Sequence, residues 1–151
     1  MSVDLHQHVD AKESAVAPRS VLLVDDDQNI LKSLRIFLEM EHFEVRTASS
    51  GSEALDEVTR CAPDLIVLDV MMPQMDGFEV LERLKSSTST ATVPVIMLTA
   101  KSQDGDVLQG YRQGAASYMT KPVNYDELVD NIRLIFSTEE IEMRKGKVYE
   151  I

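Results

Sequence analysis

Three short, unbroken apolar runs, each closed by a polar residue, constrain this chain more than any other feature. They are Val21-Leu22-Leu23-Val24, Leu65-Ile66-Val67-Leu68 and Val95-Ile96-Met97-Leu98. Runs of this length without alternation read as strands covered on both faces. Two weaker segments accompany them. Phe43-Glu44-Val45-Arg46-Thr47 alternates, and Ala116-Ser117-Tyr118-Met119 is short and mixed, so both read as edge strands. Three buried strands and two half-exposed ones predict a five-stranded parallel sheet.

The segments between the runs carry helical periods. Ile30, Leu34, Phe37 and Leu38 fall at i, i+4, i+7 and i+8, as do Leu128, Ile132, Ile135 and Phe136. Asp27 suits the N-cap of the first helix, Ser50 with Glu53 forms a capping box, and Asn124 with Glu127 imitates one. Residues 77–86 and 103–113 supply the remaining helices, with stripes Phe78/Leu81/Leu84 and Val107/Leu108/Tyr111. Gly77 after Asp76 fits a turn opening the third helix, Gly114 fits a helix C-cap, and the Ser/Thr cluster at 86–90 reads as a loop. The expected class is α/β, a doubly wound (βα)5 sheet with right-handed crossovers and helices on both faces.

With 151 residues, there is material for one domain. Residues 1–19 read as a flexible leader in which His6 and His8 are incidental. Residues 20–138 are expected to form the folded domain, and 139–151 read as a short tail, with no effector domain expected. Ile141 and Met143 hint that the tail extends the last helix or docks. No apolar run approaches the roughly 20 residues needed to span a bilayer, and the N-terminus lacks a signal-peptide core, so a cytoplasmic protein is expected. The single cysteine, Cys61, excludes an intrachain disulfide and falls where a buried structural thiol would sit. The net charge of −11 argues against nucleic-acid binding, and the excess lies within residues 20–138, which hold 19 acidic and 10 basic side chains.

In open parallel sheets, ligands bind beyond the carboxyl ends of the strands, near the switch point in strand order. The first strand ends in Asp25-Asp26-Asp27, the third in Asp69, the fourth in Thr99 and the fifth in Thr120-Lys121-Pro122. Taken singly, Asp27 is a helix cap, Asp69 a turn residue, Thr99 a β-prone strand end and Lys121 a surface lysine. Their joint placement on one rim is what points to a site. Clustered carboxylates repel unless a cation neutralises them, and hard oxygen donors without His or Cys select Mg²⁺ or Mn²⁺. A carboxylate is also a competent nucleophile towards phosphorus, and phosphoryl transfer needs chiefly positioning and charge neutralisation.

The segments VLLVDDDQNIL (21–31), PDLIVLDVMMPQMDGFEVLERLK (63–85), PVIMLTAK (94–101) and GAASYMTKP (114–122) together resemble the response-regulator receiver family of two-component signalling. The likeness extends to stand-alone, chemotaxis-regulator-like receivers and implies a flavodoxin-like strand order of 2-1-3-4-5. It implies Asp69 as phosphoacceptor and Asp25, Asp26, Asp69 and the Met71 main-chain carbonyl as Mg²⁺ ligands. Thr99 becomes the switch hydroxyl, Lys121 the phosphoryl-facing lysine before a cis Pro122, and Tyr118 the aromatic that turns inward when Thr99 moves. A half-buried edge-strand tyrosine would explain Tyr118 equally well.

The resemblance further implies a sensor histidine kinase or phosphotransfer protein as donor. Output would pass through a protein target on the surface of the fourth helix, fifth strand and fifth helix, without direct DNA binding or a membrane. Such a protein is a switch, not an enzyme, assisting only its own phosphorylation and dephosphorylation. Where many DNA-binding relatives carry an acidic pair, this chain has Ala116-Ser117, so their symmetric dimer is not expected; a monomer or weak dimer is. Met71 and Lys101 occupy positions that tune water attack on the acyl phosphate, and neither side chain orients a water. Slow self-dephosphorylation is expected, with the phosphoprotein outliving free acetyl phosphate. Two other readings compete. A pseudo-receiver that has stopped accepting phosphate conflicts with the intact acidic, hydroxyl and lysine set. A phosphatase or flavodoxin on a similar sheet conflicts with Met71 where the former needs Asp, and with three aspartates where the latter needs a phosphate loop.

Overall fold

A computed structural model describes residues 17–100 and 113–149, with side chains described as far as 143. The leader's first sixteen residues, Lys101 and most of the predicted 103–113 helix lie outside the described residues. The elements run β1 (Ser20–Val24), α1 (Gln28–Met40), β2 (Glu44–Ala48), α2 (Gly51–Arg60), β3 (Leu65–Asp69), α3 (Gly77–Ser86), β4 (Val95–Thr99), β5 (Ser117–Thr120) and α4 (Tyr125–Tyr149). All four strand pairings are parallel, in the order β2-β1-β3-β4-β5. The three apolar runs are the three central strands. The two weaker segments are the edges, each beginning one residue later than the sequence pattern suggested.

The period-2 geometry of the central strands divides the core between two faces. Leu22, Val24, Ile66, Leu68, Val95 and Met97 meet Ala54 and Val58 of α2 and Val80, Leu81 and Leu84 of α3. Val21, Leu23, Leu65, Val67, Ile96 and Leu98 meet Leu31, Leu34 and Leu38 of α1 and Leu128, Ile132 and Phe136 of α4. Every side chain of β3 and β4 is buried, as a strand sandwiched between helix layers requires. This arrangement leaves the strand ends as the place where polar groups can gather.

The helix boundaries follow their capping chemistry. The Asp27 carboxylate accepts from the Asn29 and Ile30 amides and opens α1. The Ser50 hydroxyl accepts from the Glu53 amide at 3.1 Å, but Glu53 reaches back to Ser49, not Ser50, at 3.1 Å to its amide and 2.8 Å to its hydroxyl. Asn124 accepts from the Glu127 amide at 3.0 Å. At the end of α1, His42 has φ +71°, and the Phe43 and His42 amides return to the Leu38 and Glu39 carbonyls. That is a Schellman motif with histidine in the left-handed position that favours glycine.

One sequence expectation changes. Cys61 is exposed, because α2 ends at Arg60 and Cys61 adopts an extended conformation that carries its side chain off the helical stripe. The last helix continues to Tyr149, the extension at which Ile141 and Met143 hinted. The 86–90 loop is anchored by Lys85, whose ammonium donates to the Ala91 and Val93 carbonyls at 2.9 and 2.8 Å.

Candidate functional site

The carboxyl ends of β1, β3, β4 and β5 bring together the residues singled out above. Asp25 follows the last residue of β1 and stays in the sheet's plane through its amide, which donates to the Ala48 carbonyl at 3.2 Å. Asp69 is the final residue of β3, in register with Leu98 of β4. Thr99 ends β4 opposite Thr120, and the Lys121 amide donates to the Thr99 carbonyl at 2.6 Å. Asp25, Asp69 and Thr99 are all buried, at 3%, 2% and 4% exposure, while Asp26 is exposed. One carboxylate oxygen from each of Asp25, Asp26 and Asp69 lies within 4.8 Å of the others.

Lys121 reaches this cluster from β5, its ammonium 2.8 Å from an Asp25 oxygen and 3.1 Å from an Asp69 oxygen. The following Lys121–Pro122 bond is cis. The other Asp25 oxygen accepts from the Asp27 amide at 2.9 Å, so the capping turn of α1 also fixes the orientation of Asp25. Burial raises the Asp69 carboxyl to a pKa of about 6, helped by the Asp25 charge. Lys121 and the Met71 amide pull it back only in part. Burial lowers the Lys121 ammonium, but its bonds to Asp25 and Asp69 and their charges outweigh this and hold it above the usual lysine value.

One ammonium among three carboxylates leaves the cluster with surplus negative charge and oxygen-only donors. That donor set fits a hard divalent cation such as Mg²⁺. Met71, proposed as a main-chain donor, sits two residues past Asp69 with its side chain 69% exposed. The loop beyond it turns at Gln74, which has φ +69° and lies between the Pro73 carbonyl and the Met75 amide that bonds to it at 2.8 Å. Tyr118 of β5 is partly buried and packs against the core cluster on the α2/α3 face. An apolar groove of about 490 Å³, lined by Ile30, Leu34, Pro122, Val123 and Tyr125, opens beside Lys121.

Gly77, read from the sequence as part of the turn that opens the third helix, packs directly behind the site. A Cβ there would collide with the Asp69 carbonyl oxygen and lie 2.8 Å from the Val70 Cα. The Gly77 amide donates to the Val70 carbonyl at 2.8 Å, so α3 begins directly against the Asp69 backbone. A glycine following an N-cap aspartate was the available signal. What it touches depends on the β3–α3 crossover and is not written locally.

The fold, with its acidic rim at the strand ends, is that of a receiver domain, and comparison with known proteins agrees. The model of the response regulator receiver domain matches residues 21–133, and the chain belongs to this family. It is 40% identical over 131 residues to the DNA-binding dual master transcriptional regulator RpaA of Synechocystis, covering 87% of this chain and 54% of that one. It is 42% identical over 113 residues to the response regulator PleD of Caulobacter vibrioides, covering 75% of this chain and 25% of that one. The chain thus spans about half, or less, of the length of these relatives. Among solved structures, a CheY-like receiver domain protein from Methanospirillum hungatei superposes with a TM-score of 0.78 at 30% identity, covering 83% of this chain and 98% of that one. Chemotaxis protein CheY4 of Vibrio cholerae gives 0.74 at 32% identity, covering 78% and 98%. Among the described residues, no helix is long and apolar enough to cross a membrane.

Proposed function

We propose that this receiver is a phosphorylation-dependent switch in which Asp69 accepts a phosphoryl group from the phosphohistidine of a sensor kinase or phosphotransfer protein. The observation that carries this reading is the buried Asp69 carboxylate, within 4.8 Å of the Asp25 and Asp26 oxygens and 3.1 Å from the Lys121 ammonium. Asp25, Asp26, Asp69 and the Met71 carbonyl would hold Mg²⁺. Bound there, the ion supplies two positive charges that neutralise the carboxylates and the incoming phosphoryl oxygens. An Asp69 carboxylate oxygen attacks phosphorus, the P–N bond to the donor imidazole breaks, and the imidazole retains a proton as it leaves. Lys121 offers its charge to a phosphoryl oxygen as its contact with Asp69 is given up, while its 2.8 Å bond to Asp25 keeps it aimed. The apolar groove beside Lys121 offers the donor protein a place to seat.

The new group adds about two negative charges and three strong acceptors within reach of Thr99. Thr99 donates to it from the adjacent strand, and Tyr118 packs inward behind the displaced hydroxyl. The surface of β5 and α4 is thereby remade for a protein target. Moving such an equilibrium from 1:99 to 99:1 takes roughly 5.5 kcal/mol, about twice what a pair of charge-assisted hydrogen bonds supplies, so target binding completes the switch. The negative net charge supports protein contact over direct DNA contact as the mode of output.

Intact-mass measurement after incubation with acetyl phosphate tests the central step. The wild type is expected to gain one phosphoryl group only with Mg²⁺ present, and Asp69→Asn none. An adduct that survives in Asp69→Asn would place the chemistry elsewhere. No adduct from acetyl phosphate or from a phosphohistidine donor would leave a phosphate-independent interaction module.

A further inference from the structure

Two separate stretches of backbone carry the acids of the cluster. Asp25 and Asp26 follow β1, while Asp69 and Met71 open the loop that leads into α3. With three carboxylates against one ammonium, these two arms repel one another. Mg²⁺ tolerates little error in their spacing, since its octahedral shell holds oxygens at about 2.0–2.1 Å. Something other than the acids themselves must therefore keep the arms at a fixed separation.

The turn between β2 and α2 touches both arms, although none of its residues belongs to the cluster. At one end, the Ala48 carbonyl accepts from the Asp25 amide at 3.2 Å. At the other, Gly51 is buried at the first position of α2. A Cβ built there would lie 3.1 Å from both Cβ and Cγ of Met75 and 2.8 Å from a Val80 methyl, so Met75 rests directly on the Gly51 backbone. The turn itself is braced. Glu53 accepts from the Ser49 amide and hydroxyl at 3.1 and 2.8 Å, and the Ser50 hydroxyl accepts from the Glu53 amide at 3.1 Å. On the loop side, Met75 stands between Gln74, with φ +69°, and Asp76, which caps α3. Its amide donates to the Pro73 carbonyl at 2.8 Å, so a shift of Met75 is passed back towards Met71.

We propose that the β2–α2 turn is the spacer of the cation site, with Met75 as the positioning residue that carries its hold to the Asp69–Met71 loop. Neither Gly51 nor Met75 donates to the ion. They keep Asp69 and the Met71 carbonyl at a distance from Asp25 and Asp26 that one divalent cation can bridge. A Met75 that only filled the core would lose stability on truncation and leave ion affinity unchanged. The proposal rests on the reading that Asp25, Asp26, Asp69 and the Met71 carbonyl hold Mg²⁺.

The test titrates the full, unphosphorylated chain with Mn²⁺ and counts free ion by electron paramagnetic resonance, a readout of binding and not of phosphorylation. Met75→Ala should weaken Mn²⁺ binding ~10-fold, the lower end for groups that orient metal ligands. Met75→Leu, which keeps most of the volume, should stay within ~2-fold of the wild type. Gly51→Ala, which presses on Met75 from the turn, should weaken binding in the same direction. Val58 lies in the same core cluster, seven residues and roughly 10 Å further along α2. Val58→Ala should lower the urea midpoint through its cavity, yet hold Mn²⁺ within ~2-fold of the wild type. Wild-type affinity in Met75→Ala would overturn the proposal. An equal loss in Val58→Ala would reduce the effect to general loosening and likewise overturn it. A wild type that binds no Mn²⁺ would remove the cation site and the spacer with it. That failure shows in the wild type, whereas failure of the spacer alone shows only in the variants.

Discussion

Asp69 is an acid held where an acid is costly. Its carboxyl is 2% exposed, and its pKa stands at about 6 against an ordinary 3.8, so between roughly pH 4 and 6 the folded chain holds a proton that the unfolded chain has released. Stability from this group is therefore complete below about pH 4 and is lost as pH rises through 6. A shift of about two units is worth ~3 kcal/mol at neutral pH, of which the Lys121 and Met71 bonds lost on substitution take back a part. In metal-free buffer, Asp69→Asn is expected to be more stable than the wild type by on the order of 2 kcal/mol at pH 7.5, with the gap closing towards pH 4. Urea titrations at the two pH values measure it, and an equal gap at both would show that burial of this charge is not the cause. The strain is intelligible as function: the acid that destabilises the resting fold is the one proposed to be consumed by phosphorylation or neutralised by a cation.

At the scale of elements, the sequence was legible wherever a residue's meaning is local. The apolar runs located β1, β3 and β4, and the polar residues closing the runs named the rim, because strand direction in a parallel sheet sends all those ends one way. Asp27, Ser50 and Asn124 announced helix starts through contacts a few residues away. Less legible were properties set by distant partners. Lys121 bonds Asp25 across 96 residues of sequence, and Gly77 meets the Asp69 backbone through a crossover. Cys61 was misjudged because its place depends on α2 ending one residue earlier. The extension of α4 was only hinted at, since a helix that outruns its sheet has no apolar stripe to mark it. Two substitutions probe these junctions. Gly77→Ala should cost ~1–3 kcal/mol through overpacking, and should lower the yield of the Asp69 adduct because the shift falls on the Asp69 backbone itself. Wild-type phosphorylation in this variant would show that the loop yields without moving Asp69. His42→Gly should instead stabilise the domain by up to about 1 kcal/mol, since φ +71° at the end of α1 suits glycine and strains a β-carbon. A loss of stability on denaturant unfolding would mean that the histidine side chain contributes more than its backbone strain removes.

Across the whole molecule the net charge is −11, most of it carried by the 19 acidic and 10 basic side chains of residues 20–138, but one small volume concentrates three carboxylates against one ammonium. A divalent cation that binds only the folded arrangement must stabilise the fold by mass action, by about 2.7 kcal/mol at a hundred times its dissociation constant. For a domain of this size that is roughly 5–10 °C in Tm. Mg²⁺ is therefore expected to raise Tm at pH 7.5 by several degrees, and sodium chloride at matched ionic strength by much less, because screening relieves diffuse repulsion but fills no site. The gain should fade below about pH 6, where Asp69 takes a proton in place of the cation. It should also be largely lost in Asp25→Asn/Asp69→Asn, which leaves Asp26 as the sole carboxylate of the cluster. Thermal melts over this grid of ion, pH and variant separate a site from an atmosphere. If sodium chloride reproduces the Mg²⁺ shift, or the double variant keeps it, the acidic rim is a charged surface and not a cation site, and the charge neutralisation that phosphoryl transfer requires would fall to Lys121 alone.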